Sequence, residues 1–349
     1  MTTPMVSVVM SVFNGERFLR EAVESILDQS FRDFEFVIID DGSNDRSGSI
    51  LDFYESSDAR VKVHHTDHRG LIESLNRGCN LAQGKYIARM DADDVACKDR
   101  LMWQVEFLET QPEIAVLGGA VEWINAVGEP LGVHSNPAED RTIREDLLRR
   151  CPLWHPTVLL RREAFVSAGG YRRPMADAED YDLWLRIADH SQFANLERVV
   201  LKYRIHASQV SMRKMASQTL CMLAAQVAAS SRRNGLLDPL NTVEEITPEF
   251  LAGLGVTKAR QQREFASDCE NWIRNMINAG EYAAALKAAI DLLHSDLQYV
   301  EKWEIANLHL TVALLYWRQR RFAKSLVATI RALLVRPAIA GRPLKSLLK

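Results

Sequence analysis

The chain has 349 residues, a net charge of −3, 47% hydrophobic residues and 26% charged residues. Those proportions bury a globular core larger than one average domain and argue against a bulk nucleic-acid partner. Five cysteines at 79, 97, 151, 221 and 269 are widely spaced and form no CxxC pair, which argues against a zinc or disulfide framework and for a reducing compartment.

From the N-terminus, "VSVVMSVF" (6–13) and "EFVII" (35–39) are continuous apolar runs of strand length, as in a parallel sheet covered on both faces. Between them, "RFLREAVESILDQS" sets Phe18, Leu19, Ala22, Val23, Ile26 and Leu27 on one helical face. A helix from about Ser47, a strand "RVKVHH", a helix around 70–82 and a strand "KYIARM" follow. This alternation predicts a wound α/β sheet, whose ligands bind beyond the C-terminal strand ends. "FNGE", "DDGS" and "DADD" all fall at such ends.

From 145 to 206 the pattern is less regular, with a helix "YDLWLRIAD" and a strand-like "RVVLKYRIH". Strand signals vanish after about residue 212, so the expected division is a catalytic domain over 1–211 and a helical region over 212–349. Within that region Tyr282, Ala283, Leu286, Ile290 and Leu293 are echoed forty positions on by Phe322, Ala323, Leu326, Ile330 and Leu333. The echo resembles a tetratricopeptide-like helical hairpin, though two copies fall short of an array.

Asp91 and Asp93, two apart past a strand, can offer two carboxylates to one hard cation such as Mg²⁺ or Mn²⁺. The competing reading is a cap for the following helix, for which one acid suffices. No GxGxxG follows the first strand and no GxxxxGK[ST] occurs, so a metal-bridged nucleoside diphosphate fits better than a dinucleotide or a P-loop.

Five segments then resemble, in order, the family 2 glycosyltransferases of GT-A fold: "SVVMSVFNGERFLREAVESILDQSFRDFEFVIIDDGSNDRS", "LNRGCNLAQGKYIARMDADD", "HPTVLLRREAFVSAGGY", "AEDYDLWLRIA" and "YRIHASQVS". The resemblance covers residues 5–211 and implies transfer of a sugar from a nucleotide-sugar donor, with inversion, in polysaccharide or glycoconjugate synthesis. A UDP-sugar is the expected donor, and a saccharide or lipid-linked saccharide the acceptor. It also implies that Ser11, Phe13 and Glu16 line the nucleoside pocket, Asp41 contacts the base and Arg69 reaches base or phosphates. Asp91 and Asp93 become the DxD motif, and Asp180 the general base with Glu179 beside it. A carboxylate so placed typically accelerates attack by ~10²–10⁴-fold. Asp180 also suits the N-cap of "YDLWLRIAD", and a cap points its side chain out at the rim. His206 is an expected further metal ligand. His155 matches a position near acceptor or diphosphate. Trp154 and Trp184 are stacking candidates, Trp184 reading equally as core.

Two rivals stay open at this point. A nucleotidyltransferase would carry a Gly-rich, basic loop after the first strand, where "FNGERF" stands; a non-catalytic nucleotide-sugar-binding scaffold would lack Asp180 or the DxD acids.

No signal-peptide pattern opens the sequence, and no apolar run approaches the ~20 residues of a membrane span, so a cytoplasmic protein is expected. No acid follows Glu304, while nine Lys and Arg do. In "RRFAKSLVATIRALLVRP", Phe322, Leu326, Ile330 and Leu333 form a stripe flanked by Arg321, Lys324 and Arg331. The stripe suits packing on the hairpin around Tyr282 and Leu286, or peripheral docking at an anionic membrane.

Overall fold

In the computed structural model, which describes residues 3–207 and 212–341, the first apolar run forms β1 (Val6–Val12). With β2 (Phe34–Asp40), β3 (Val61–His65) and β4 (Tyr86–Met90) it makes a parallel block ordered β3-β2-β1-β4. The crossovers are α1 (Leu19–Leu27), α2 (Ser47–Ser57) and α3 (Leu71–Leu81). Leu19, Ala22, Val23 and Ile26 of α1 are buried, as the helical periodicity requires. Val6, Val8, Met10 and Val12 join them in one core with Phe36 and Ile38.

The sheet continues through β5 (Val95–Ala96), α4 (Arg100–Thr110), β6 (Ile114–Ile124), β7 (Pro130–His134), α5 (Asp140–Asp146), β8 (Leu159–Arg161), α6 (Arg162–Ser167), α7 (Glu179–Ile187) and β9 (Gln192–Arg204). The full order is β3-β2-β1-β4-β8-β6-β9-β5, with β7 beside β6. β8 runs antiparallel to β4 and β6, whereas β9 returns parallel to β6. This is the expected α/β class. Val12 is paired with Asp40, and Met10 with Met90, so the chain leaves β1, β2 and β4 on one edge. Arg100, wholly buried, donates to the carbonyl of Arg89 at 2.8 Å and to Gln104 at 3.1 Å, which fixes the end of β4.

The chain divides into two compact units. One takes residues 1–204 and 225–245, the other 205–224 and 246–349. α8 (Met212–Arg233) starts in the second unit and ends in the first. The second unit goes on through α9 (Pro248–Gly253), α10 (Lys258–Asn278), α11 (Tyr282–Leu293), α12 (Lys302–Arg318) and α13 (Phe322–Val335). α10–α11 and α12–α13 are two helical hairpins, and the forty-residue echo falls on their second helices. Of the expected apolar stripe only Leu333 packs, against the cluster of Ala306, Leu310, Ala332 and Ile339, while Phe322, Leu326 and Ile330 stay exposed. α13 turns its small residues Ser325, Ala328 and Ala332 inward, and Ser325 donates to the Ala313 carbonyl at 2.7 Å. Leu286 of α11 is 6% exposed, but its counterpart Leu326 is 62% exposed. Close approach of α12 and α13 through small side chains leaves the large ones outside.

All five cysteines are free thiols, and among the described residues no helix is long and apolar enough to cross a membrane.

Candidate active site

The loops after β1 and β2 are held together by reciprocal hydrogen bonds. Asn14 donates its N–H to Ser43 Oγ at 3.0 Å, and its side chain accepts from Asn44 N–H at 2.9 Å. The Glu16 carboxylate accepts from Arg46 N–H at 3.0 Å, at the start of α2. Asp41, buried, spends both oxygens on the next loop, accepting from the N–H of Arg69 at 2.8 Å and of Gly70 at 2.9 Å. The structure therefore shows Asp41 as an anchor for residues 68–70. Gly42 sits at φ 74°, and a Cβ there would meet the His68 nitrogen at 2.7 Å, so only glycine fits. The held loop stacks His68 on Phe13, ring centroids 4.0 Å apart, with Phe13 47% exposed. Ser11, near the end of β1, is half-buried, and the Arg69 side chain is exposed.

At the end of β4, Asp91, Asp93 and Asp94 bring a carboxylate oxygen each to within 4.8 Å of one another. Asp94 adds a third acid to the expected pair. Its Oδ1 accepts from Arg204 N–H at 2.8 Å, and its buried Oδ2 has no hydrogen-bond partner. Burial first, then Asp93 and Asp91, push the Asp94 carboxyl well above its ordinary value. Burial raises Asp91 as well, with Arg89 opposing and Asp93 adding to the shift. A divalent cation would relieve this crowding and give the bare Oδ2 a partner, so the residues fit one. His206 is buried and belongs to the second unit; among the described residues the cluster consists of the three carboxylates.

A second acidic pair opens α7. Glu179 is buried and pushed to about 8 by burial and then by Asp180. Burial also raises Asp180, to about 6, against the Tyr181 N–H it accepts at 2.7 Å. Cys151 Sγ lies 4.0 Å from its Oδ2. Behind the pair, burial and then Arg89 hold the His155 imidazole well below its usual range, while burial keeps the Tyr171 phenol protonated. The Tyr171 hydroxyl and His155 Nε2 share a hydrogen bond at 2.8 Å, and His155 Nδ1 faces Glu179 at 3.8 Å. Asn76 fixes Tyr171 from both sides, accepting from its N–H and donating to its carbonyl.

Arg89 ties the two acidic groups together. Its buried Nη1 lies 2.6 Å from Asp91, and its charge also lowers Glu179 and Asp180. Arg89 was passed over in sequence: "ARMDADD" shows a cation two residues before the acids, but not that it lies buried inside a strand. Trp184 is fully buried, so it is core and stacks on no ligand. Trp154 is half-buried, edge-on to Trp123 at 6.0 Å, and Trp123 in turn stacks on His134 at 3.7 Å.

Residues 7–167 match the family described as "Glycosyl transferase family 2". The chain is 31% identical over 206 residues to the O-antigen biosynthesis glycosyltransferase WbnJ of Escherichia coli, a span covering 58% of this chain and 80% of WbnJ. Among solved structures, S. aureus TarS 1–349 in complex with UDP-GlcNAc superposes with a TM-score of 0.51 at 16% identity, covering 93% of this chain and 90% of TarS. The mannosyltransferase PcManGT from Pyrobaculum calidifontis, in complex with GDP-Man and Mn²⁺, gives 0.51 at 18% identity, covering 96% and 89%. At such identities these two likenesses concern the fold.

Proposed function

The chain belongs to glycosyltransferase family 2, and from that premise we propose that it transfers a sugar from a UDP-sugar to a saccharide or lipid-linked saccharide, inverting the anomeric carbon. The observation that carries this reading is the convergence of three carboxylates, Asp91, Asp93 and Asp94, at the end of β4 on the edge where β1 and β2 also end. Membership in the family leaves the nucleotidyltransferase reading without support, and the presence of Asp180, Asp91 and Asp93 speaks against a mere scaffold.

In this reading Phe13 and His68 stack on the nucleobase, with Ser11 and Glu16 at its edge and Arg69 reaching over from its anchored loop. Asp41 acts on the donor by holding that loop. Asp91, Asp93 and Asp94 hold a divalent cation, Mn²⁺ or Mg²⁺. When bound, the cation supplies charge neutralisation for the departing diphosphate without proton transfer. Asp180, ionised at neutral pH, takes the proton of the acceptor hydroxyl as it attacks. Glu179, protonated beside neutral His155, adds no negative charge next to the base. Trp154 and Trp123 offer an aromatic wall on which an acceptor sugar can stack. WbnJ is named for O-antigen biosynthesis, which supports a role in building a surface polysaccharide.

The test is a thermal-shift panel of UDP, GDP, dTDP and CMP with and without Mn²⁺. A ligand selective for the native state adds ~2.7 kcal/mol of stability at a hundredfold excess over its Kd. UDP with Mn²⁺ is expected to give the largest rise. GDP in first place would move the donor to a GDP-sugar, as in the PcManGT complex, and a flat panel would sink the reading.

A further inference from the structure

The outward face of α13 carries Phe322, Leu326, Ile330 and Leu334, which are 47–78% exposed, and no described element covers them. On one helix of 14 residues that is a continuous apolar strip, not the scatter of single exposed side chains found on any surface. Exposed Arg318, Arg320, Arg321, Lys324 and Arg331 border it, and among the described residues none is ion-paired with a carboxylate.

We propose that this face docks on an anionic lipid bilayer, the apolar side chains entering the head-group boundary while the cations engage lipid phosphates. An amphipathic helix lying in the interface plane has this composition. Three features of the charge argue for that occupant. A second copy of the chain seated by two-fold symmetry would set these cations against themselves. Residues 342–349 would do no better as a cover, because they add three further cations and no acid. Beside the strip, Lys324 and Arg331 also line a groove of about 430 Å³ with His309 and Tyr316 and no carboxylate, room enough for a phosphate head group. The turn before the helix points the same way. Gly280 ends α10 at φ 79°, but at the same place in the second hairpin Arg320 adopts φ 58°, a conformation that favours glycine. A cation occupies the position in spite of its backbone cost. The proposal is independent of which sugar is moved.

The experiment is co-sedimentation of the full chain with vesicles of phosphatidylglycerol and phosphatidylcholine, against phosphatidylcholine alone. The protein is expected to pellet with anionic vesicles only and to be released by high salt. Arg321→Gln/Lys324→Gln/Arg331→Gln should bind roughly a hundredfold more weakly, since each basic residue at the surface contributes about fivefold. Leu326→Ser/Ile330→Ser should also lose binding. All five positions are exposed, so unchanged circular-dichroism melts are expected to show that both variants fold. Absence of wild-type binding, equal binding to neutral vesicles, or variants that pellet like wild type would each overturn the proposal. So would a wild-type dimer in light scattering that Leu326→Ser/Ile330→Ser disperses, since a second copy would then cover the face.

Discussion

Glu179 and Asp180 are neighbours in sequence, yet burial and then the Asp180 charge bring Glu179 to about 8, while burial, opposed by the Tyr181 N–H, brings Asp180 only to about 6. At neutral pH the first keeps its proton and the second has lost it, so only Asp180 can accept one. The sign is fixed by the raised values: activity is present above the Asp180 value and falls as pH drops through about 6, giving kcat/KM an acidic limb there. Asp180→Asn should lower turnover by ~10²–10⁴-fold with donor affinity near normal, whereas Glu179→Gln, imitating a protonated acid, should keep turnover within a few-fold. The reverse pattern would make Glu179 the base. The crowded aspartates allow a sharper test. Asp94 is forced above its ordinary value by burial and two like charges, so its ionised form costs stability when no cation is present. Asp94→Asn keeps an oxygen for Arg204 N–H and should raise the melting temperature in EDTA. The same change should remove most of the Mn²⁺-dependent stabilisation by UDP, the ~2.7 kcal/mol expected at a hundredfold excess. If the variant melts lower in EDTA and keeps its Mn²⁺ response, Asp94 is a structural acid.

At the scale of elements, the first ninety residues were legible because each apolar run is bounded by an amphipathic helix of crossover length. β5 was not legible, since Val95 and Ala96 become a strand only through Lys202 and Leu201 of β9, over a hundred residues away. β6 is a long apolar run open to notice, but its Gly118 and Gly119 dilute the strand signal. Those glycines make room for partners no local pattern reveals: a Cβ on Gly118 would meet Asn195 at 2.1 Å, and one on Gly119 would meet Val200 at 2.7 Å. Of the candidate site, Asp91, Asp93 and Asp180 were readable as acids at element ends. Arg89 and Tyr171 were not, because their importance lies in what surrounds them. The forty-residue echo was legible as well, but not the side on which the second copy would pack; the small residues Ser325, Ala328 and Ala332 decided that. The echo yields a prediction at its turn. Arg320→Gly restores the residue found at Gly280 and should stabilise the chain by about 0.5–1 kcal/mol, the relieved left-handed backbone outweighing the extra freedom of glycine when unfolded. Denaturant titration would show this as a higher midpoint at unchanged slope. A lower midpoint would mean that the arginine side chain contributes more to the fold than its backbone costs.

At the scale of the whole chain, the two units are both candidates for an anionic ligand, for opposite reasons. The first offers carboxylates that attract a cation and, through it, a diphosphate; the second offers Lys324 and Arg331 in a groove without acids. Either would draw a nucleoside diphosphate, and a rise in melting temperature alone does not say which. Hydrogen exchange does, because a ligand slows opening of the segments it binds. With UDP and Mn²⁺ the expected protection lies in residues 11–16, 41–47, 68–70 and 89–94, with 179–187 following once an acceptor is present. Amides of α12 and α13 should exchange at an unchanged rate. Omitting Mn²⁺ should abolish the first set, since the aspartates then repel the diphosphate that the cation would have bridged. Protection confined to α12 and α13 and indifferent to Mn²⁺ would place the nucleotide in the basic groove. That result would reassign the helical unit from lipid docking to nucleotide binding and leave the Asp91–Asp93–Asp94 cluster without the donor proposed for it.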